Sequence, residues 1–259
     1  FDNFIRFFDE FAVAESREIM LGAIFRSFFT AQIGLWINTP LTILATFLLF
    51  KGYYMATAFR IIYYIPGLFS ATIGYMLTRL MLQAGGPYMT ILEALGFVFS
   101  EKVKHNGFLA VTGVAYPTLC IFGIGIGGGN ILFYTALMRR VPVSLFESAK
   151  LDGCGIWREF ANIAVPLVWP TIATMIALSI GGMFGGGLDV MMLTNGEYGT
   201  LNFGLWMLRL TLNGAESTEY NNGVLNYPAA IGVVLTCVMV PITLTSRKIL
   251  NKLAPPVEY

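Results

Sequence analysis

The sequence predicts an all-α fold, a polytopic helical bundle that crosses a membrane several times. Hydrophobic residues make up 56% of the 259 residues and charged residues only 12%, and the mean hydropathy is +0.69. A soluble domain cannot bury that much apolar surface in one core, so lipid is the expected solvent for most of the chain. The apolar stretches are continuous and lack the alternation of barrel strands, which favours helices.

A membrane-spanning helix needs about 20 mostly apolar residues to cross roughly 30 Å of hydrocarbon. Five stretches free of Asp, Glu, Lys and Arg approach or exceed that length. We therefore expect five spanning helices, at residues 28–50, 61–78, 107–138, 166–188 and 227–246.

The distribution of Lys and Arg predicts the orientation, because positively charged loops stay in the cytoplasm. If the loops after the first, third and fifth runs are inside, that side holds nine cations and four acids, and the other side seven cations and eleven acids. This places residues 139–165 and the tail 251–259 in the cytoplasm. Residue 1 then lies outside and is not Met, so we expect an earlier helix and six spans in the intact protein.

The first 24 residues form a separate segment before the transmembrane domain at 25–250. Their aromatic residues recur at helical spacing with charged residues between them: Phe4, Phe7, Phe8 and Phe11. This pattern is typical of an amphipathic helix in the outer interface, and equally of a short helix packed on the bundle.

The cytoplasmic segment 139–165 reads as two short helices joined by a turn. Ser144 and Glu147 have the spacing of a capping box, which predicts a helix beginning at Ser144. Gly153 can supply the left-handed residue that ends it. A second helix is expected from about Ile156, and Pro166 can begin the next span. The apolar faces of these helices need a partner, either the bundle itself or another protein.

This segment resembles the EAA loop of permease subunits of binding-protein-dependent ABC importers. The resemblance rests on Glu147-Ser148-Ala149, Gly153 after three residues, Ile163 after nine more, and Val165-Pro166. Ser148 and Val165 depart from the consensus by small changes. The match extends to permeases of the carbohydrate-uptake type, similar to the maltose and glycerol-phosphate systems, through Asn38-Thr39-Pro40, Arg60 with Pro66, Gly129-Asn130, and Leu193-Thr194-Asn195-Gly196.

The resemblance implies the transmembrane fold of a type I ABC importer and a coupling helix seated in a groove of a cytoplasmic ABC ATPase dimer. Within the motif Glu147-Ser148-Ala149, Glu147 would face the ATPase and Ala149 would permit close packing. Gly153 would also allow close approach, and Asp152 would help to form the turn. ATP and Mg would be bound by the ATPase, leaving this chain non-catalytic and without a cofactor.

The other implied partners are a second permease subunit in a heterodimer, an extracytoplasmic solute-binding protein and the lipid bilayer of a bacterial cell membrane, with no nucleic acid. The cargo implied is a sugar or oligosaccharide. Amino acids, polyamines and phosphate esters remain open as alternatives within the family.

Four polar residues at or near membrane depth are candidates for the transport pathway, because such groups tend to face the bundle interior or a water-filled path. They are Gln32, Asn38, Asn130 and Asp189. For Asp189 a position at the outer interface is the alternative.

Other functions find less support in the sequence. An intramembrane enzyme needs an embedded nucleophile with a base, or paired carboxylates, and the runs contain neither. A secondary transporter or channel is expected to carry ionisable groups within its spans, where they are nearly absent. The single histidine, His105, and three widely separated cysteines predict no metal site or disulfide. The glycine clusters at 123–129 and 181–187 lack a following Gly-Lys-Ser or Gly-Lys-Thr, so we expect them inside spanning helices. There they allow close helix packing, with a substrate-lining kink as the alternative.

Overall fold

The computed structural model describes residues 2–52, 56–126, 130–216 and 226–253. Within these ranges the backbone forms helices and turns and no strand, which confirms the all-α prediction. Two stretches are wound as π-helix, Gly34–Asn38 and Phe160–Ala164. In chain order the α-helices are α1 (Asp2–Ala12), α2 (Ala14–Ile33), α3 (Thr39–Phe50), α4 (Ala56–Leu68), α5 (Ala71–Leu82), α6 (Pro87–Ala94), α7 (Glu101–Asn106), α8 (Ala115–Ile126), α9 (Asn130–Met138), α10 (Val143–Leu151), α11 (Ile156–Glu159), α12 (Val165–Gly181), α13 (Leu188–Thr194), α14 (Phe203–Glu216) and α15 (Asn226–Leu253).

Three helical stretches of the described chain are long and apolar enough to cross a membrane: Ala14–Phe50, Ile156–Gly181 and Asn226–Lys252. They overlap the first, fourth and fifth predicted runs. The fourth run was predicted to reach residue 188, but its helix ends at Gly181. Residues 182–187 form a turn before α13, so the glycines of this turn lie outside the helices in which we expected them.

The second and third predicted runs are not single helices, so the count of five spans is not confirmed. The run 61–78 divides between α4 and α5, of 13 and 12 residues. At 1.5 Å per residue each is about 20 Å long, which is short of the roughly 30 Å of hydrocarbon. In the run 107–138, residues 107–114 form turns before α8. Phe108 and Leu109 in these turns are buried in a side-chain cluster, so their apolarity serves packing.

The helices group into two compact units. The first consists of Phe1–Ala31, Ala71–Phe122 and Gly181–Pro241. One buried cluster in this unit draws on α5, α6, α7 and α13 and the turns before α8, and a second joins α2, α14 and α15. The buried hydroxyl of Ser27 on α2 accepts a hydrogen bond of 2.9 Å from the backbone N–H of Phe203, which begins α14.

The second unit consists of Gln32–Ser70, Gly123–Ile180 and Ile242–Tyr259. Its described core is a single apolar cluster built from α3, α9, α10 and α12 and the residues between them: Ile43, Phe47, Tyr134, Leu137, Met138, Val141, Phe146, Ala164, Val168 and Ile172. Because Phe146 belongs to this cluster, the core of the second unit also holds the segment 139–165.

Gly204 illustrates how closely two backbones approach within the first unit. A Cβ added at this position would overlap the carbonyl oxygen of Gly186. We expect Gly204→Ala to lower the free energy of unfolding by about 1–3 kcal/mol, because one backbone must move. Gly74→Ala, where the added Cβ meets nothing within 4 Å, is the control and should be neutral or slightly stabilising. Equal unfolding midpoints for the two variants in detergent would contradict this account.

Candidate functional site

The segment 139–165 forms a helical hairpin. Helix α10 leads to a turn, and α11 continues through the π-helical segment Phe160–Ala164 into α12. Gly153 has a φ of +74°, a left-handed conformation that glycine adopts without a steric penalty. The backbone N–H of Cys154 donates to the carbonyl oxygen of Ala149 at 2.9 Å, which closes the end of α10. The predictions that Gly153 ends the first helix and that a second begins at Ile156 are confirmed.

The predicted start of the hairpin was wrong in one detail. Helix α10 begins at Val143 with Pro142 as its N-cap residue, and no side chain caps it. Ser144 therefore lies inside the first turn, where its hydroxyl is not at the capping position and no capping box with Glu147 forms. Likewise, Pro166 does not begin a separate helix, because it is the second residue of α12 and the helical backbone already runs from Ile156.

One side of α10 presents exposed residues four positions apart, which places them in a single stripe along the helix. We call Val143, Glu147 and Leu151 the exposed stripe. Leu151 is 90% exposed, so nearly all of its apolar side-chain surface is open to contact by a partner. The stripe combines two apolar residues with one carboxylate, a composition suited to a protein partner.

The structure brings the five predicted coupling residues together in one helix and the turn that follows it. Glu147, Ser148, Asp152 and Gly153 are exposed, and Ala149 is half-buried. The hydroxyl of Ser148 donates to the carbonyl oxygen of Ser144 at 2.9 Å, so this side chain bonds within α10. All five lie within seven consecutive residues of the hairpin, at its surface or close to it.

The opposite side of α10 is anchored through an aromatic cluster. Phe146 is buried, and its ring centroid lies 6.1 Å from that of Phe47 and 5.8 Å from that of Phe50. Phe160, just after α11, packs on Phe47 at 5.3 Å. The end of α3 thus contacts α10 and the π-helical segment that follows α11, so a displacement of the hairpin bears directly on a candidate spanning helix.

A buried ion pair reinforces this junction. Lys51, the residue after α3, pairs with Glu159, the last residue of α11. The Glu159 side chain is only 5% exposed and that of Lys51 19%. The ammonium group also lies 4.6 Å from the ring centroid of Phe146, within cation–π range. Lysine 51 therefore contacts α10 and α11 at once.

The Lys51–Glu159 pair was missed by the sequence reasoning, which used both residues only as topology charges. The one available signal is that two opposite charges flank predicted spans on the same predicted side of the membrane. That signal did not indicate which cation and which carboxylate meet.

The pathway candidates are only partly described. Gln32 accepts a hydrogen bond of 2.9 Å at its Oε1 atom from Trp36 Nε1, and the backbone carbonyl of Asn38 accepts one of 2.8 Å from the Thr42 hydroxyl. Both residues belong to the second unit. Asn38 ends the π-helical segment Gly34–Asn38 and Gln32 lies two residues before it, and this kind of helix distortion is frequent at functional sites. Asp189, half-buried in the first turn of α13, belongs to the first unit, and the side chain of Asn130 lies outside the described part of the chain.

No group of three or more His, Cys, Asp or Glu side chains suited to a metal ion occurs among the described residues.

The fold and the hairpin define a polytopic helical membrane protein that presents a short helix beside a candidate spanning helix. The profile of one family, described as "Binding-protein-dependent transport system inner membrane component", matches residues 13–257. The chain belongs to this family, which confirms the resemblance stated from the EAA loop.

Three similar proteins are permeases of named sugar transport systems. The chain is 29% identical to the arabinooligosaccharides transport system permease protein AraP of Bacillus subtilis, over 82% of this chain and 65% of AraP. It is 36% identical to the maltodextrin transport system permease protein MalD of Streptococcus pneumoniae, over 46% of this chain and 40% of MalD. For the lactose transport system permease protein LacF of Rhizobium radiobacter the identity is 29%, over 74% of this chain and 65% of LacF. The chain thus spans less than two thirds of each relative.

Two solved structures share the fold. A crystal structure of a bacterial ABC transporter involved in the import of the acidic polysaccharide alginate gives a TM-score of 0.77 at 22% identity, over 97% of this chain and 83% of that chain. A bacterial alginate ABC transporter in complex with an alginate pentasaccharide-bound periplasmic protein gives 0.75 at 21% identity, over 92% and 80%.

Proposed function

We propose that the chain is the transmembrane permease subunit of an ATP-driven importer and forms half of the translocation pathway for a sugar or oligosaccharide. Membership of the family supports the transport role. The names of the relatives, which concern arabinooligosaccharides, maltodextrin and lactose, support a carbohydrate cargo. The chain itself is non-catalytic in this proposal, and ATP with Mg is bound by a separate ATPase.

The observation that carries the coupling role is the exposed stripe on α10. The stripe offers a partner an apolar surface at Leu151, which is 90% exposed, and a negative charge at Glu147. The opposite side of α10 is fixed to α3 by Phe146 and Lys51. A push on the stripe by a closing ATPase dimer is therefore transmitted to a candidate spanning helix as the movement of a rigid element.

The remaining partners follow from the same proposal. A second permease subunit completes the pathway, and an extracytoplasmic solute-binding protein delivers the cargo. The periplasmic protein bound to one alginate transporter supports the latter. The chain lies in a bacterial cell membrane with its C-terminus in the cytoplasm, as the excess of Lys and Arg on that side indicates.

Leu151→Asp tests the ATPase partner. We expect at least tenfold weaker association with the ATPase, about 1.4 kcal/mol, because a charge replaces an apolar contact at one end of the exposed stripe. Association is measured by co-purification at graded ATPase concentration from membranes that contain the whole assembly. Leu95→Asp is the matched control, since Leu95 is 69% exposed and lies between the runs 61–78 and 107–138, on the predicted outer side.

The cargo is tested with the wild-type assembly in proteoliposomes, by ATP-dependent uptake of labelled maltotriose, arabinotriose and lactose. Uptake of none of these sugars, in an assembly that still hydrolyses ATP, would contradict the carbohydrate proposal.

If Leu151→Asp associates with the ATPase as strongly as the wild type does, the proposed role of the exposed stripe as the coupling surface is contradicted.

A further inference from the structure

A polar cavity of about 570 Å³ lies in the first unit, and nothing in the proposed coupling mechanism uses it. Its volume falls within the range of roughly 300–1,000 Å³ that is typical of small-molecule sites. The ends of α5, α7 and α13 surround it, together with the loop at residues 195–198. By the charge distribution these elements face the outer side of the membrane, where a solute arrives.

The wall of the cavity carries polar groups that complement hydroxyl groups. Arg79 offers only donors, Glu197 only acceptors, and Gln83, Asn106 and Asn195 offer both. Sugar hydroxyls both donate and accept, so they can satisfy every one of these groups. Tyr198 adds an aromatic ring to the wall, and the apolar face of a sugar ring packs well on such a surface.

The loop that bears three of these side chains is held by hydrogen bonds. The buried hydroxyls of Thr194 and Thr200 lie 2.6 Å apart and join the two ends of the loop. The Thr200 hydroxyl also lies 2.6 Å from the carbonyl oxygen of Glu197, to which it donates. Arg209 on α14 donates to the carbonyl oxygen of Asn195. The loop is therefore preorganised, which reduces the entropic cost of binding a ligand.

The backbone of this loop is unusual at two positions. Asn195 has a φ of +52° and Tyr198 a φ of +55°, in the left-handed region that non-glycine residues seldom adopt. Asparagine tolerates this region, but for a tyrosine the conformation costs free energy. Strain of this kind persists where surrounding contacts enforce it, and it is concentrated at ligand sites.

The charges of the cavity indicate the class of ligand. Arg79 and Glu197 are both exposed, and neither forms an ion pair with another residue in the part of the chain that the structure describes. Their formal charges cancel, so the wall has no excess of cations with which to attract an acidic sugar.

We infer that this cavity is a binding subsite for a neutral oligosaccharide on the outer side of the permease, ahead of the membrane pathway. The inference rests on the proposed carbohydrate cargo and adds to it a place and a charge preference. Tyr198 supplies the platform for a sugar ring, and Glu197 and Arg79 bind its hydroxyls.

The test uses the permease pair in nanodiscs without the solute-binding protein, and saturation-transfer NMR with maltotriose or with an alginate trisaccharide. We expect signals from maltotriose alone. They should fall at least fivefold in Tyr198→Gly, which removes the ring and relieves the backbone, and in Glu197→Gln. They should persist in Tyr198→Phe, which keeps the ring, and in Glu93→Gln, a matched change of an exposed carboxylate outside the cavity.

Three results would overturn the inference. The first is a maltotriose signal that Tyr198→Gly leaves unchanged, and the second is an equal signal from the acidic trisaccharide. The third is that the variants weaken only the association with the solute-binding protein, which would make the cavity a protein contact. Uptake by the wild-type assembly is scored separately. If sugar uptake is normal but the maltotriose signals do not depend on Tyr198 and Glu197, only the proposed binding cavity is rejected. If the NMR signals follow the expected pattern but no sugar is taken up, only the proposed transport function is rejected.

Discussion

Glu147→Lys is expected to uncouple transport from ATP hydrolysis while the permease remains folded and inserted. Glu147 is exposed on α10 between Val143 and Leu151, so the substitution disturbs no buried group of this chain. It places a longer, positively charged side chain at the centre of the surface proposed to seat in the ATPase groove. We expect sugar uptake to fall about 30-fold, equivalent to about 2 kcal/mol of coupling free energy, with the ATPase still associated.

The measurement is the number of sugar molecules taken up per ATP hydrolysed by the reconstituted assembly. Lys248→Glu is a suitable control, because it also changes an exposed charge on the predicted cytoplasmic side but lies on α15, outside the hairpin. Normal uptake by Glu147→Lys, with the ATPase bound, would remove Glu147 from the coupling mechanism.

The hairpin could be predicted from the sequence because its determinants are local. Gly153 supplies a left-handed turn whatever the rest of the chain does, and the helical spacing on either side of it is short-range. The missed detail was local as well. Pro142 fixes its own φ and takes the N-cap position, which moves Ser144 into the first turn and out of reach of a capping role.

The count of five spans is not confirmed, and this has a different cause. A window of about 20 uncharged residues identifies an apolar segment, but it does not show whether its side chains face lipid or are buried by the protein itself. In the run 107–138, Phe108 and Leu109 are covered by the protein's own side chains in the first unit. In the run 61–78, the helix is interrupted between α4 and α5. Single-sequence hydropathy cannot separate such packed turns from lipid-exposed helix.

The long-range features of the candidate sites were beyond sequence reasoning. Lys51 and Glu159 are more than a hundred residues apart, and their separate positions indicate nothing about their contact. The outer cavity likewise joins Arg79 and Asn106 to a loop near residue 197. Only the tertiary packing of the helices brings these groups together.

Lys51→Met is expected to have the largest effect on stability among single substitutions in the hairpin junction. It leaves the carboxylate of Glu159, a side chain only 5% exposed, without its cation, and a buried unpaired charge typically costs about 3–5 kcal/mol. Glu159→Gln should cost less, because the Lys51 side chain is 19% exposed and its ammonium group keeps the aromatic ring of Phe146 at 4.6 Å. The free energies of unfolding are compared in detergent by titration with a denaturing surfactant.

The double variant Lys51→Met with Glu159→Leu distinguishes the stability lost with the ion pair from the stability lost by burying an unpaired carboxylate. Apolar side chains of similar volume can replace a buried ion pair with little loss, so most of the stability should return. Sugar uptake per ATP should nevertheless stay low, because the directional link between α3 and α11 is gone. Lys104→Met is the control: its pair with Glu101, at 3.8 Å, is 41% and 80% exposed and should contribute less than about 1 kcal/mol. If the double variant recovers uptake together with stability, the pair serves only the packing of the junction and has no part in transmitting force from the ATPase.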